Sequence, residues 1–203
     1  MGTHMSDLLH GRLNREPHTA DIGTEVQRRA LSADEARLFM AEIRNSSCIT
    51  GYSFGEWTGR RDVFVTVDRA SQRAAAAMLI HRLPGGLSEL AVVFVLEEFR
   101  GRGLAKQLVC FGLRTMRGDG RSKIIFYSDD QMHAIATTAG FVTYASLSDY
   151  CGHRRSRQLY YTAIYKPFWL LNVYRIREIA RKRRELGSHF DFRMGVIERR
   201  KPS

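Results

Sequence analysis

FVLEEFRGRGLAKQLVCFGL, residues 94–113, decides the fold. Upstream, SELAVVFVLEE (88–98) is an apolar, β-branched run that reads as a strand. Downstream, Leu104, Leu108, Phe111 and Met116 recur at helical spacing toward Gly118. Between them stands the sequence Arg100-Gly101-Arg102-Gly103-Leu104-Ala105. A helix start exposes unpaired N–H groups and the positive end of its dipole. Glycines let that backbone curl tightly and approach an anion. Arg100, Arg102 and Lys106 add mobile positive charge suited to a pyrophosphate. Any strand-to-helix turn favours glycine, and arginines are common on surfaces, so the hexamer alone leaves both readings open. It matches neither the Gly-Lys-Ser/Thr phosphate loop nor the dinucleotide G-x-G-x-x-G pattern.

Outward from this junction the pattern alternates. Ser32 is an N-cap before Asp34 and Glu35, and Leu38, Phe39 and Ile43 continue a helix. VFVTVDR (63–69) and AAAAMLIHRL (74–83) read as paired strands, although the alanine run suits a helix equally. Pro84-Gly85-Gly86 makes a turn. KIIFYSD (123–129) is a buried strand, and QMHAIATTAG (131–140) a short helix closed by Gly140. FVTYASL and RQLYYTAIYK (157–166) complete the strands, and helical spacing returns over 168–186, with an apolar seam through Trp169, Val173 and Ile176. The order implies an α/β (α+β) domain.

The chain has 203 residues, 44% apolar and 26% charged, as ordinary soluble domains are. The opening MGTHM reads as a cloning remnant (1–5), 6–30 as a loose arm, 31–167 as the domain, and 168–203 as a basic helix and tail. No apolar run reaches eighteen residues, which argues against a spanning helix. Three widely spaced cysteines fit a reducing, cytoplasmic setting better than a disulfide framework. Cys151, His153 and His133 do not complete a metal site, and none is expected. The formal charge of +11 favours anionic partners.

In this context, R-G-R-G-L-A resembles the Arg/Gln-x-x-Gly-x-Gly/Ala signature of the GNAT N-acetyltransferases. The preceding strand, the amphipathic helix after it, and the helix ending in Ala139-Gly140-Phe141 also resemble the family's order, over roughly residues 32–166. The resemblance implies a mixed, mostly antiparallel sheet flanked by helices, here with a basic C-terminal helical extension. It also implies acetyl-CoA as co-substrate and direct transfer to an amine. Backbone near Val93 and Val95 would pair with the pantetheine arm. The amides of Arg100, Gly101, Arg102, Gly103, Leu104 and Ala105 would hold the pyrophosphate, assisted by Lys106.

Amine acetylation needs a proton acceptor, donors for the oxyanion and an acid for the thiolate. Glu89 lies eleven residues before Arg100, the offset at which histone-type members carry their base. Strand alternation would place it on one face with Ala91, Val93 and Val95; the bland alternative is a solvated acid at a strand's start. The family's usual acidic tyrosine falls at Ala136 and is absent, and the asparagine often found at that helix's start is replaced near Asp129. His133 is the nominated substitute, because histidine exchanges protons near neutral pH. Arg154, Arg155, Arg157, Arg181, Lys182, Arg183 and Arg184, with Phe190 and Phe192 interleaved, would suit nucleic acid or an acidic partner as well as a solvated surface. YSDDQMHAIATTAGFVTY also has a loose likeness to the phage Mom proteins, which modify DNA. Nucleic-acid modification, or binding on an inactive scaffold, is the alternative.

Overall fold

The computed structural model describes residues 23–59 and 62–199; the MGTHM leader and the arm up to residue 22 lie outside that range. Seven strands form one sheet: β1 (Thr24–Arg28), β2 (Val63–Asp68), β3 (Ala74–Leu83), β4 (Leu87–Val95), β5 (Ser122–Tyr127), β6 (Val142–Tyr144) and β7 (Arg193–Ile197). Their order is β1-β2-β3-β4-β5-β7-β6, antiparallel except for the parallel β4–β5 pair. Helices α1 (Ala33–Asn45), α2 (Phe54–Thr58), α3 (Leu104–Thr115) and α4 (Asp130–Thr138) join the first six strands. Ser32 and Glu35 form the reciprocal cap that starts α1. The alanine run is a strand paired on both sides, with β2 and β4, and α3 packs close upon it: a Cβ at Gly112 would collide with Met78 Cε. Among the described residues, no helix is long and apolar enough to cross a membrane.

Three expectations need correction. The loose arm contains β1, whose five residues all pair with β2. TEVQR is too polar to announce itself, and its partner strand decides its conformation. RQLYYTAIYK is helical, not a strand: α6 (Arg155–Tyr160), a π-turn (Tyr161–Tyr165) and α7 (Lys166–Leu170) run on without a break. Tyr161 and Tyr165, four apart, bury one face of this helix against Leu83, Ile124 and Met194. The π-turn ends at Tyr165, two residues before Pro167, and its wider i→i+5 bond from Lys166 N–H to Tyr161 C=O loosens the helix where a proline would otherwise clash with the preceding turn. Finally, the C-terminal tail is part of the sheet, because β7 lies between β5 and β6. Residues 145–192, which include α5 (Leu147–Cys151) and α8 (Val173–Leu186), therefore form a helical insert between two sheet strands.

The seam expected on α8 is inverted. Val173 and Ile176 are exposed, whereas Arg175, Glu178, Ile179 and Lys182 are the buried face. Lys182 donates to the carbonyls of Ile43, Ser46 and Ile49, closing the C-terminus of α1 and fixing the loop that follows it.

Candidate active site

The site begins where two strands part. β4 pairs with β3 as far as Val95 but with β5 only as far as Leu90. Leu79 opposes Val92 and Ile80 opposes Leu90, so Ala91 is an extra residue and bulges. Tyr52 braces the bulge by donating its hydroxyl to the Ala91 carbonyl. Beyond the bulge, the edge of β4 that faced β5 has no strand partner, and a cavity of about 660 Å³ opens there. Val93, Val95, Arg100, Gly101, Gly103, Leu104, Ala105 and Lys106 line it, facing Gln131, Ile135 and Thr138 of α4. Gly101 and Gly103 sit at φ +78° and +73°, where an L side chain is strained, and no side chain caps α3. The uncapped helix start and the open strand edge fit a pyrophosphate and an amide-bearing arm, as acetyl-CoA requires.

Arg102 departs from expectation. Its side chain does not line this cavity; it stacks 5.2 Å from the Phe99 ring centre and lies 3.8 Å from Asp68. Gly103→Glu should weaken acetyl-CoA binding by about a hundredfold or more in calorimetry. Strain at positive φ costs roughly 1–2 kcal/mol, and the new carboxylate opposes the phosphates. Unchanged affinity would remove the loop from the site.

A second cavity, of about 500 Å³, lies on the other side of the bulge and shares Cys48, Val93, Asp129 and Met132 with the first. The insert supplies one wall through Tyr165, Trp169, Arg175, Phe190 and Phe192. Glu89 lines it from β4, although the bulge breaks the simple alternation that placed Glu89 in line with Ala91.

Glu89 is 4% exposed and belongs to a buried cluster rather than a solvated strand start. The turn at Pro84–Gly86 sets His81 directly opposite it on β3. Tyr165 donates its hydroxyl to Glu89 Oε1 at 2.9 Å. His81 Nδ1 lies 3.5 Å from Glu89 Oε2, and its Nε2 lies 3.4 Å from Glu56 Oε1. These are ion-pair distances without aligned hydrogen bonds, so Glu89 Oε2 has no hydrogen-bond partner among the described residues. Burial would raise the Glu89 carboxyl, but the His81 imidazole, Arg175 and Tyr165 outweigh it and hold it below the usual carboxylate range. Burial likewise opposes a charged His81, but the two carboxylates overcome it and raise its pKa.

For Glu56 burial is again opposed, by His81, by bonds from Ser53 and by the Arg175 charge, and its carboxyl is held at about 2. A carboxylate depressed in the folded state stabilises the fold fully above its unfolded value. That contribution is lost as pH falls through the folded one. Urea titrations should therefore show stability falling between about pH 4.5 and 2, and Glu56→Gln should flatten that slope.

His133 lines neither cavity; its Nδ1 lies 3.0 Å from the Tyr127 hydroxyl. Ala136 is buried in the core. Asp129 caps α4 and lines both cavities. Phe190 and Phe192 stack on each other in the cavity wall. Of the seven cations read as a nucleic-acid surface, Lys182 is fully buried. Arg181 pairs with Glu178 and Glu185, and Arg157 with Glu198. Arg154, Arg155, Arg183 and Arg184 remain exposed.

Solved structures share this architecture at low identity. N-acetylglutamate synthase from Neisseria gonorrhoeae, in complex with coenzyme A and N-acetyl-glutamate, is 12% identical at a TM-score of 0.55. It covers 88% of this chain, which spans 35% of that protein's length. Rv2747 from Mycobacterium tuberculosis, solved with coenzyme A, is 12% identical at 0.57, covering 86% and 98%. Arabidopsis thaliana NAA60 with a bisubstrate analogue is 15% identical at 0.53, with the same coverage of 86% and 98%. No curated protein matches in sequence. Residues 24–141, more than half the chain, match the acetyltransferase (GNAT) family. With the parted strands and the glycine-turned helix start both in place, the chain belongs to that family of acetyl-CoA-dependent acyltransferases.

Proposed function

We propose that this enzyme transfers the acetyl group of acetyl-CoA to an amine held in the 500 Å³ cavity, with Glu89 as the proton acceptor. One observation carries the reading: a buried carboxylate, one of whose oxygens makes no hydrogen bond among the described residues, lines the cavity that meets the coenzyme cleft at Val93, just past the Ala91 bulge. Acetyl-CoA supplies an activated acyl carbon. The bound ammonium passes one proton to Glu89 directly or through water, the freed amine nitrogen bonds to that carbon, the C–S bond breaks, and the second N–H proton leaves to solvent as the amide forms. Coenzyme A departs as the thiolate.

The chain's own groups set the terms. Glu89 is held ionised at neutral pH, so it both attracts an ammonium and accepts its proton. Tyr165 keeps its proton, since burial and the neighbouring Glu89 charge raise it well above the usual phenol range, and it acts as a fixed donor to Glu89. N–H groups of β4 beyond the bulge, unclaimed by β5, are donors for negative charge building on the carbonyl oxygen. Most of the rate would come from positioning. The test is amine-dependent release of coenzyme A, followed with a thiol reagent, with the acetylated amine identified by mass. Release by solvent alone, whatever amine is offered, would contradict transfer.

A further inference from the structure

We infer that the acceptor carries a carboxylate beside its amine, on a bulky apolar body, and that Arg175 binds that carboxylate. The inference deepens the acetyl-transfer reading and rests on it for the placement of the amine.

Arg175 is 2% exposed and lines the acceptor cavity, yet its Nε and Nη2 have no hydrogen-bond partner among the described residues. A buried guanidinium with unmade bonds is costly, and such a group calls for a partner. Glu56 does not fill that need. It lies 3.5 Å from Nη2 and already accepts from the Ser53 amide and hydroxyl and from Asn172 Nδ2. The position is also unfavourable for a cation. Arg175 is the third residue of α8, whose first turn contains no acid, at the positive end of the helix dipole. An anion arriving in the cavity would be stabilised by both.

The guanidinium is held ready. It lies 4.7 Å from the Tyr52 ring centre and 5.7 Å from that of Trp169, and this bracing leaves its planar fork suited to a two-oxygen anion. Charge balance points the same way. Glu56 and Glu89 face Arg175 and His81, whose imidazole the two carboxylates bias toward its charged form against burial. A zwitterion, with its ammonium toward Glu89 and its carboxylate toward Arg175, enters without adding net charge; a simple ammonium adds one buried charge. Phe126, Trp169, Leu170, Phe190 and Phe192 form an apolar stretch of the wall, which suits an apolar body on the ligand.

The full chain would be assayed with acetyl-CoA and with phenylalanine, tyrosine, tryptophan, leucine and methionine, each against its decarboxylated amine. The expected result is a kcat/KM at least about tenfold higher for one or more acids than for the matching amines. Arg175→Gln should raise the KM for that acid about tenfold more than it raises the KM for the matching amine, with the coenzyme A affinity within about twofold. Arg175→Lys should recover part of the loss. Without acetyl-CoA, the same acid should raise the melting temperature of the parent protein and not of Arg175→Gln. Amines that match or exceed their acids would overturn the proposal. So would an unchanged acid KM in a normally folded Arg175→Gln, or a panel in which no acid reacts or shifts melting. If Arg175→Gln does not fold, the parent's paired comparison and Arg175→Lys decide. If nothing releases coenzyme A but the Arg175-dependent melting shift persists, acetyl transfer fails while the carboxylate site stands.

Discussion

Glu89→Gln is expected to lower turnover by roughly 10²- to 10⁴-fold, the range for removing a positioned proton acceptor. The amide keeps the shape and can still accept from Tyr165, so the cavity and the coenzyme cleft persist. It loses the charge that holds an ammonium and the oxygen that takes its proton. The deficit should be greatest at low pH, where the amine arrives protonated, and should narrow toward the amine's own pKa. In the parent enzyme Glu89 sits below the usual carboxylate range, so it stays ionised across neutral pH and contributes no acid limb there. Acetyl-CoA affinity, read by calorimetry, should be unchanged. Equal turnover in variant and parent would remove Glu89 from the chemistry.

Lys182→Met is expected to destabilise the fold by about 3 kcal/mol or more. The thioether fills the volume, but the carbonyls of Ile43, Ser46 and Ile49 lose their shared donor, at about 1–3 kcal/mol for each buried group left unpaired. Desolvation lowers the Lys182 ammonium to about 8, which limits what the charged form contributes, but the three carbonyls favour that form. The loss of three acceptors outweighs the relief of burying no charge. For a chain of this length the melting temperature should fall by roughly 6–12 °C. The loop after α1 carries Cys48, Thr50 and Tyr52 to the cavity, so the acceptor KM should rise as well. A variant as stable as the parent would mean the carbonyls find water instead.

The legible parts of the molecule were those governed by local rules. The run before Arg100, the two positive-φ glycines and the helix spacing after them lie within thirty residues, and each constrains its neighbour. Family resemblance then supplied the sheet. The offset from Arg100 nominates Glu89 but says nothing of its buried setting. A lone histidine inside AAAAMLIHRL, two residues from the end of a hairpin strand, is the available signal: pairing across the Pro84–Gly86 turn puts His81 opposite Glu89. α8 misled for a different reason. Its apolar residues carry a period, and period was read as burial, while the charged set Arg175, Glu178 and Lys182 faces inward. Glu178 pairs with Arg181 three residues on, but the groups facing Arg175 and Lys182, Glu56 and Ile43, lie more than a hundred residues away in sequence. RQLYYTAIYK failed on propensity, since β-branched and aromatic residues favour a strand until two tyrosines four apart find a shared apolar wall.

On this reading the gap between β4 and β5 seats acetyl-CoA with its thioester turned toward Glu89. A crystal structure of the protein with acetyl-CoA tests it most directly. The pyrophosphate is expected on the amides of residues 100–105, the pantetheine arm along Val93 and Val95, and the acetyl group at the Ala91 bulge facing the Glu89 cavity. A coenzyme bound elsewhere, or seated in the cleft with its acetyl group turned away from Glu89, would contradict it.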